Sequence, residues 1–191
     1  MGAVFVPGER TTRSSGMIIA LVALVVVLAG VGGWYLLKDR AGSSSATEQG
    51  IAAYSRGSKE AARLAFVEAV NKNPDDVRAL TYLGRISREL GNLATARKYL
   101  EDAIRIDPKN ALALREFASA LLADQQPELA RRFYVRSLEA DPNDRATQGF
   151  LGCALVRINR TEEAARWFER AGPGDWSSCN VPAGTPPTSK D

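Results

Sequence analysis

Few side chains in this 191-residue sequence could perform catalysis. Histidine is absent, so neither a histidine-activated nucleophile nor a histidine proton relay can form. Neighbouring carboxylates such as Glu101 and Asp102 are adjacent in a helical pattern and therefore point in different directions, as on a solvated helix face. Gly30, Gly32 and Gly33 lie in an apolar run and do not form a phosphate-binding loop. We therefore predict no catalytic residue, no enzymatic activity and no cofactor.

The sequence contains two cysteines, which are too few for a His/Cys metal cluster. Cys153 falls in a helical pattern at a position where small buried residues are usual, whereas Cys179 lies in a segment rich in proline, glycine and serine. A disulfide between them could form in an oxidising compartment, but its geometry is restrictive. We therefore expect two free thiols and no metal site.

The elements that must position any functional side chain are repeats of 34 residues. One series of prolines and two series of buried-type residues recur at this interval: Pro74, Pro108, Pro142; Ala62, Ala96, Ala130, Ala164; Phe66, Leu100, Tyr134, Phe168. Apolar residues within each unit recur at helical spacing, as at Leu80, Leu83 and Ile86. A period of this length indicates stacked units that bury their apolar faces against one another. The sequence predicts an all-α fold with two short antiparallel helices per unit.

Proline marks the ends of several predicted helices, because it lacks an N–H and restricts the residue before it. Asn73, Asp107 and Asp141 each precede a proline and are therefore predicted to end a helix. The predicted helices cover residues 48–56, 59–71, 77–90, 93–106, 111–124, 127–140, 145–158 and 161–171.

This pattern resembles the tetratricopeptide repeat family. The unit that starts at Val77 has the family's signature types at Leu80, Leu83, Gly84, Ala96, Leu100, Ala103 and Pro108. The unit that starts at Ala111 has Leu114, Phe117, Ala118, Ala130, Tyr134, Ser137 and Pro142 at the same positions. The units from Ser43 and Arg145 are degraded copies. The resemblance implies a TPR-like α-solenoid of antiparallel helix pairs over residues 48–172, with good repeats at 77–110 and 111–144.

In tetratricopeptide repeat proteins the first helix of each repeat lines a concave groove that binds other proteins, and the resemblance implies the same here. Arginines and aromatic residues dominate the corresponding positions, which are Tyr54, Arg78, Tyr82, Arg85, Arg88, Arg115, Glu116, Ser119, Phe150 and Arg157. Such a groove suits a protein segment with acidic residues, since guanidinium groups bind carboxylates and stack on aromatic rings. The alternative is an exposed arginine-rich face that only keeps the domain soluble.

The charge balance argues against a nucleic-acid partner. The chain has 25 basic and 22 acidic residues, a formal net charge of +3. Four of the basic and two of the acidic residues precede Ala41, so the remainder carries 21 basic and 20 acidic side chains. Nucleic-acid affinity depends largely on phosphate neutralisation, which requires a basic field that this part of the chain lacks. We therefore predict protein partners and no nucleic acid.

Residues 17–37 form a run of 21 residues without charge, with Arg13 before it and Lys38 after it. At about 1.5 Å per residue this run would span about 31 Å, which matches a bilayer core of about 30 Å. We predict a transmembrane helix in contact with membrane lipid, with Trp34 and Tyr35 at the headgroup level. A cleaved signal peptide is the alternative, although the apolar run is long for one.

Three segments outside the helices are predicted to be irregular, namely the tail 1–16, the linker 38–47 and the tail 173–191. Basic residues are nearly balanced across the apolar run, and a single N-terminal anchor most often leaves the following domain outside. We therefore expect a single-pass protein of the bacterial inner membrane with its repeats on the periplasmic side. The last repeat needs a cover: either Trp176 folds back over Trp167 and Phe168, or a partner covers them.

These features predict a non-catalytic, membrane-anchored scaffold that acts as an assembly factor or adaptor for a membrane protein complex. The layout resembles that of bacterial cytochrome c maturation and envelope-assembly adaptors. Two alternatives stay open. One is a permanent structural accessory subunit of a large membrane complex, and the other is a secreted repeat protein released by signal cleavage.

Overall fold

The computed structural model describes Gly2 and residues 46–180. Residues 46–55 are helical and are called α1. Seven further α-helices and one 3-10 helix follow: α2 (Lys59–Lys72), α3 (Val77–Glu89), α4 (Leu93–Ile106), α5 (Ala111–Ala123), α6 (Pro127–Ala140), α7 (Arg145–Arg157), α8 (Thr161–Ala171) and the 3-10 helix Asp175–Asn180. The described residues contain no strand, so the predicted all-α class is confirmed.

The helices pack as consecutive pairs that stack in sequence order. Helix α3 packs on α4, α5 on α6 and α7 on α8, and each pair contacts the next one along the chain. The first helices of neighbouring pairs also touch, since α3 contacts α5 and α5 contacts α7. Short turns make the helices of a pair antiparallel. The predicted α-solenoid of helix pairs is therefore confirmed.

The turn inside each pair contains one residue in the left-handed backbone region. These residues are Gly57 (φ 79°), Gly91 (φ 80°), Gln125 (φ 59°) and Asn159 (φ 61°). Between pairs, a polar residue caps the next first helix: the side chains of Asp76 and Asn110 accept hydrogen bonds from the backbone N–H groups of Ala79 and Ala113. Each such cap stabilises its helix by about 1 kcal/mol. Both features recur at the interval of 34 residues that the sequence shows.

A glycine in the first helix receives a large side chain from the second helix in three of the four pairs. A Cβ atom added to Gly84 would lie 2.4 Å from Cγ of Leu100, and one added to Gly50 would lie 2.6 Å from the ring of Phe66. Leu100 and Phe66 are fully buried. Burial of side chains of this size stabilises the fold by roughly 1.5–3 kcal/mol each. The two helices can approach this closely only because the glycine has no side chain.

The C-terminal end of the stack is closed by the 3-10 helix, where the sequence predicted an irregular tail. Trp176 is 8% exposed and packs on Gly149 of α7, with its ring 5.9 Å from that of Phe150 between centroids. Trp176 thus folds back, as in the first of the two alternatives, although its main contacts are with α7. The expectation of free thiols is wrong, because Cys179 follows Trp176 onto α7 and forms a disulfide with Cys153.

The predicted transmembrane helix at 17–37, with Trp34 and Tyr35, lies outside the described residues. So do the predicted tail 1–16 apart from Gly2, residues 38–45 of the linker and residues 181–191 of the C-terminal tail. Within the described part of the chain, no helix combines the length and the apolar character that crossing a bilayer requires.

Candidate protein-binding face

All ten predicted groove residues lie on first helices. We call this set the first-helix face: Tyr54 on α1, then Arg78, Tyr82, Arg85 and Arg88 on α3, Arg115, Glu116 and Ser119 on α5, and Phe150 and Arg157 on α7. Helical spacing places the members from one helix on the same side, and the stacking of α3, α5 and α7 brings the helices together.

Three arginines of this face converge on the carboxylate of Glu116. Arg85 donates from Nη2 to Oε1 of Glu116, and Arg88 donates from Nη2 to Oε2 at 3.3 Å. Arg115 lies beside Glu116 in sequence, and its Nε is 3.5 Å from Oε1. The side chain of Glu116 is only 4% exposed, whereas those of the three arginines are 16–27% exposed. The structure thus brings four predicted site residues together, with the acidic one innermost.

The protonation states of this cluster are fixed by mutual contact. Burial alone would raise the pKa of Glu116, but the hydrogen bond and charge of Arg85, with the charges of Arg88 and Arg115, lower it below its ordinary value. Burial would likewise lower the pKa of Arg85, but the hydrogen bond and charge of Glu116 raise it above its ordinary value. Glu116 and Arg85 therefore both stay charged at neutral pH, and the cluster is an internal ion network.

Two tyrosines lie next to this network. The rings of Tyr54 and Tyr82 meet edge to face with centroids 5.4 Å apart, and Tyr82 stacks on the buried ring of Phe66 at 4.9 Å. The guanidinium carbon of Arg85 lies 5.7 Å from the ring centroid of Tyr54 and 5.4 Å from that of Tyr82. These distances are those of cation–π contacts. Both tyrosines are half-buried, so part of each residue is accessible to solvent.

The hydroxyl of Tyr54 is held by an acidic residue that the sequence did not identify. It donates to Oε1 of Glu89 at 2.5 Å, while Oε2 of Glu89 pairs with Nζ of Lys59 at 2.7 Å. Burial and the hydrogen bond to Glu89 raise the pKa of Tyr54 to about 12. Burial would raise the pKa of Glu89, but hydrogen bonds from Lys59 and Tyr54 lower it. The Tyr54 ring is therefore fixed in place and neutral.

Arg115 also ties α5 to the start of α7. Its Nη1 donates to Oδ2 of Asp144 at 2.6 Å, and the side chain of Asp144 caps α7 by accepting from the backbone N–H of Ala146. Burial would raise the pKa of Asp144, but a hydrogen bond from Thr147 and the charge of Arg115 lower it. Arg85, Arg88 and Arg115, with Glu116 and Asp144, therefore carry one net positive charge.

The other predicted residues lie at the edges of this arrangement. Arg78 is 58% exposed and pairs with Glu48 of α1 at 2.7 Å. Arg157 is exposed, and its Nη1 donates to Oε1 of Gln125 at 3.2 Å.

Two further members of the face connect to its base. The Ser119 hydroxyl lies 2.9 Å from that of buried Tyr134, whose ring stacks on Phe150 at 6.4 Å. Ser119 and Phe150 thus continue the face from α5 to α7.

The acidic partners Glu48, Glu89 and Asp144 were missed from the sequence. A signal for two of them exists, because Arg78 lies 30 residues after Glu48 and Arg115 lies 29 residues before Asp144, somewhat less than one repeat. The same separation joins Thr47 to Asp76 by a hydrogen bond of 2.6 Å. Opposite charges separated by one repeat less about one helical turn therefore indicate contacts between neighbouring first helices.

The described part of the chain contains no group of three or more His, Cys, Asp or Glu side chains that could hold a metal ion.

Comparison with known protein families agrees with this geometry. Two family models with the description tetratricopeptide repeat match residues 47–111 and 87–152, which together exceed half of the 191 residues. The chain belongs to the tetratricopeptide repeat family. Repeats of this family mediate interactions between proteins. The first-helix face of this tetratricopeptide repeat domain is therefore its candidate protein-binding face.

Curated relatives share the repeats over part of their length. Cellulose synthase operon protein C from Komagataeibacter xylinus is 37% identical over 87 residues, which are 46% of this chain and 7% of that protein. The cytochrome c-type biogenesis protein CcmH from Escherichia coli is 35% identical over 92 residues, which are 48% of this chain and 22% of CcmH. The tetratricopeptide repeat domain thus matches a minor part of each relative.

Solved structures share the fold. TTC0263 from Thermus thermophilus has a TM-score of 0.63 and 18% identity, with coverage of 68% of this chain and 72% of that one. MamA from Desulfovibrio magneticus has a TM-score of 0.59 and 22% identity, with coverage of 68% and 73%. The first repeat domain of Spaghetti (RPAP3), bound to the HSP90 peptide SRMEEVD, has a TM-score of 0.58 and 20% identity, with coverage of 61% and 93%.

Proposed function

We propose that this chain is a non-catalytic adaptor whose first-helix face binds a segment of another protein. The observation that carries the proposal is the set of partly exposed arginine side chains and tyrosine rings that α1, α3 and α5 bring together around Glu116. Fixed arginines and aromatic rings are the side chains that dominate binding energy in protein interfaces. The similar RPAP3 domain was solved with a peptide that carries three acidic residues, SRMEEVD.

The proposed partner segment carries acidic residues. The network of Arg85, Arg88 and Arg115 with its two carboxylates retains one positive charge, and each guanidinium has five N–H donors, more than Glu116 and Asp144 occupy. The arginine side chains are held before a partner arrives, so binding orders fewer rotamers and costs less conformational entropy.

The binding proposal is tested with a charge-changing pair of substitutions on the exposed edge of the face. The full chain carrying Arg78→Glu and Arg157→Gln is compared with a control carrying Arg63→Glu and Arg105→Gln on α2 and α4. Both variants change the charge equally, and the control arginines form exposed pairs within one helix. We expect the first variant to retain less than a tenth of the partner that wild type co-purifies, as quantified by mass spectrometry, and the control to retain it.

The same recovery of partners by both variants would place the interface elsewhere on the chain. Circular dichroism of both variants verifies that the helices are intact, so a loss of capture reports the surface and not the fold. A partner recovered in fixed stoichiometry after detergent extraction would indicate a permanent accessory subunit, the alternative to a transient adaptor.

We further propose that residues 17–37 anchor the adaptor in the bacterial inner membrane, with the repeats on the periplasmic side, where it assists assembly of a membrane complex. The support is the run of 21 uncharged residues and the similarity to CcmH, whose name places that protein in cytochrome c-type biogenesis. Retention of the full chain in membranes after carbonate washing, with an intact mass that includes residues 17–37, tests the anchor. Release into the supernatant would contradict it.

A further inference from the structure

The 3-10 helix Asp175–Asn180 occupies the side of α7 on which a further repeat would stack. Along the domain each first helix touches the next one, as α3 touches α5 and α5 touches α7, and the 3-10 helix takes the corresponding place against α7. Gly149 makes this possible, because a Cβ atom there would lie 2.0 Å from Cδ2 of Trp176. The short helix therefore covers the apolar end that a repeat array must shield.

Two attachments join this cap to α7, the buried ring of Trp176 and the disulfide between Cys153 and Cys179. The hydrogen bonds inside the cap are local: Nε1–H of Trp176 donates to the carbonyl of Gly172 at 2.8 Å, and the N–H of Ser177 donates to the carbonyl of Gly174 at 2.9 Å. Local bonds define the shape of the cap but do not hold it on α7.

The two cysteines differ in access. Cys153 is 1% exposed in the interior of α7, whereas Cys179 is half-buried at the end of the cap. Their Cα atoms are 5.2 Å apart and they are separated by 26 residues, so the bond joins the end of the chain's described part to the middle of α7. A segment with few buried contacts opens at a lower free energy than the rest of a domain, and its covalent attachment then determines how often it opens.

We propose that the Cys153–Cys179 disulfide is a redox latch on this cap, and that its reactant is a dithiol. A thiolate of the dithiol attacks Sγ of Cys179, the S–S bond breaks, and Cys153 leaves as a thiolate that takes up a proton. The second thiol of the reagent attacks its own sulfur in the mixed disulfide and releases Cys179, which is also protonated. The dithiol becomes a disulfide, and its two electrons reduce the cystine.

Opening of the latch uncovers the face of α7 that contains Gly149, Phe150 and Cys153. The closed form persists in an oxidising compartment, where disulfides form and are retained. The inference rests on the cap alone and is independent of the proposed partner segment on the first-helix face.

The latch is tested on the full chain purified without reductant, with dithiothreitol as the dithiol. Alkylation with N-ethylmaleimide in denaturant, followed by intact-mass measurement, is expected to add no label before reduction and two labels after it. Hydrogen–deuterium exchange is then compared between the two forms. We expect amides at 149–155 and 175–180 to exchange at least tenfold faster after reduction, while those of α3 and α5 do not change.

A Cys179→Ser variant is expected to exchange like the reduced wild type with or without dithiothreitol, since it changes one atom of a half-buried residue. Two labels without reduction would show that no disulfide exists, and unchanged exchange in 149–155 and 175–180 after reduction would show that Trp176 alone holds the cap. Faster exchange throughout α3 and α5 would show that the disulfide stabilises the whole domain and not only the cap. Each of these three results overturns the latch.

Discussion

Arg85 of α3 and Glu116 of α5 form a buried ion pair that joins two consecutive repeats. Their side chains are 18% and 4% exposed, so solvent screens the pair weakly. Aromatic residues stand one repeat before and after Glu116, at Tyr82 and Phe150. The carboxylate is therefore particular to the junction between α3 and α5, where it collects three arginines that would otherwise repel one another.

Removal of the Glu116 carboxylate should destabilise the domain strongly. In the Glu116→Ala variant three guanidinium groups face one another without their counterion, and loss of one partner from a buried ion pair costs about 3–5 kcal/mol. Urea unfolding followed by circular dichroism should show a decrease of this size in the free energy of unfolding. Glu139→Ala, at an exposed site on α6, is the control and should change it by less than about 0.5 kcal/mol.

A double substitution distinguishes the loss of one charge of the Arg85–Glu116 pair from the loss of both. Arg85→Met with Glu116→Met removes both charges and fills similar volume, and apolar replacement of a complete buried pair is often close to neutral. This variant should therefore be more stable than Glu116→Ala. Equal or lower stability would show that Arg88 and Arg115, and not only Arg85, depend on the Glu116 carboxylate.

The stability of the domain should depend on pH through Glu116. Its pKa is lowered in the folded state, so its contribution is present above the unfolded pKa of about 4.3 and is lost as the pH falls through the folded value. Wild type should therefore lose more unfolding free energy than Glu116→Gln between pH 6 and 3, measured by urea titration at each pH. Glu89 and Asp144, whose pKa values are also lowered, contribute equally to both proteins. Parallel curves would exclude Glu116 as a source.

The contact between Gly84 and Leu100 should behave as a coupled pair. Gly84→Ala places a Cβ atom 2.4 Å from Cγ of Leu100 and should cost about 1–3 kcal/mol, whereas Leu100→Ala leaves a cavity and should cost about 2–5 kcal/mol. The double variant should cost less than the sum, because the new methyl group enters the vacated space. Additive costs in a double-mutant cycle would mean that the helices separate instead.

The indole ring of Trp176 should be displaced from α7 when a side chain is added at Gly149. In Gly149→Val the new side chain overlaps the indole ring, since even a Cβ atom would lie 2.0 Å from it. We expect the tryptophan emission to shift to the red and acrylamide quenching to increase, although the disulfide stays intact. Ala94→Val, at an exposed site on α4, adds the same valine side chain away from the cap and is a control that leaves Trp176 in place. Emission unchanged from wild type in Gly149→Val would contradict the packing of Trp176 on Gly149.

The fold could be predicted from the sequence because its determinants are local and periodic. Prolines after the second helices, one left-handed residue in each pair and the small-to-large contact of Gly84 with Leu100 all recur every 34 residues. Each repeat packs on the next in the same way, so the same residue types recur at the same positions of every repeat.

The interior of the candidate site could be predicted only in part. Family positions placed Glu116 on the first-helix face, but its burial depends on arginines 28–31 residues away on a neighbouring helix, which periodicity does not show. The disulfide was missed for a related reason. The disulfide depends on the packing of Trp176 against Gly149, which brings Cys179 to α7. This contact occurs once in the described part of the chain, so no repeat pattern indicates it.

Site-specific photo-crosslinking in intact cells tests most directly whether the first-helix face binds a partner protein. A photoreactive phenylalanine analogue replaces exposed Arg78 or Arg157 on first helices, and Lys98 or Arg132 on second helices. We expect a protein adduct from the first two positions and none from the other two. An adduct from Lys98 or Arg132, with none from Arg78 or Arg157, would contradict the assignment of the binding face.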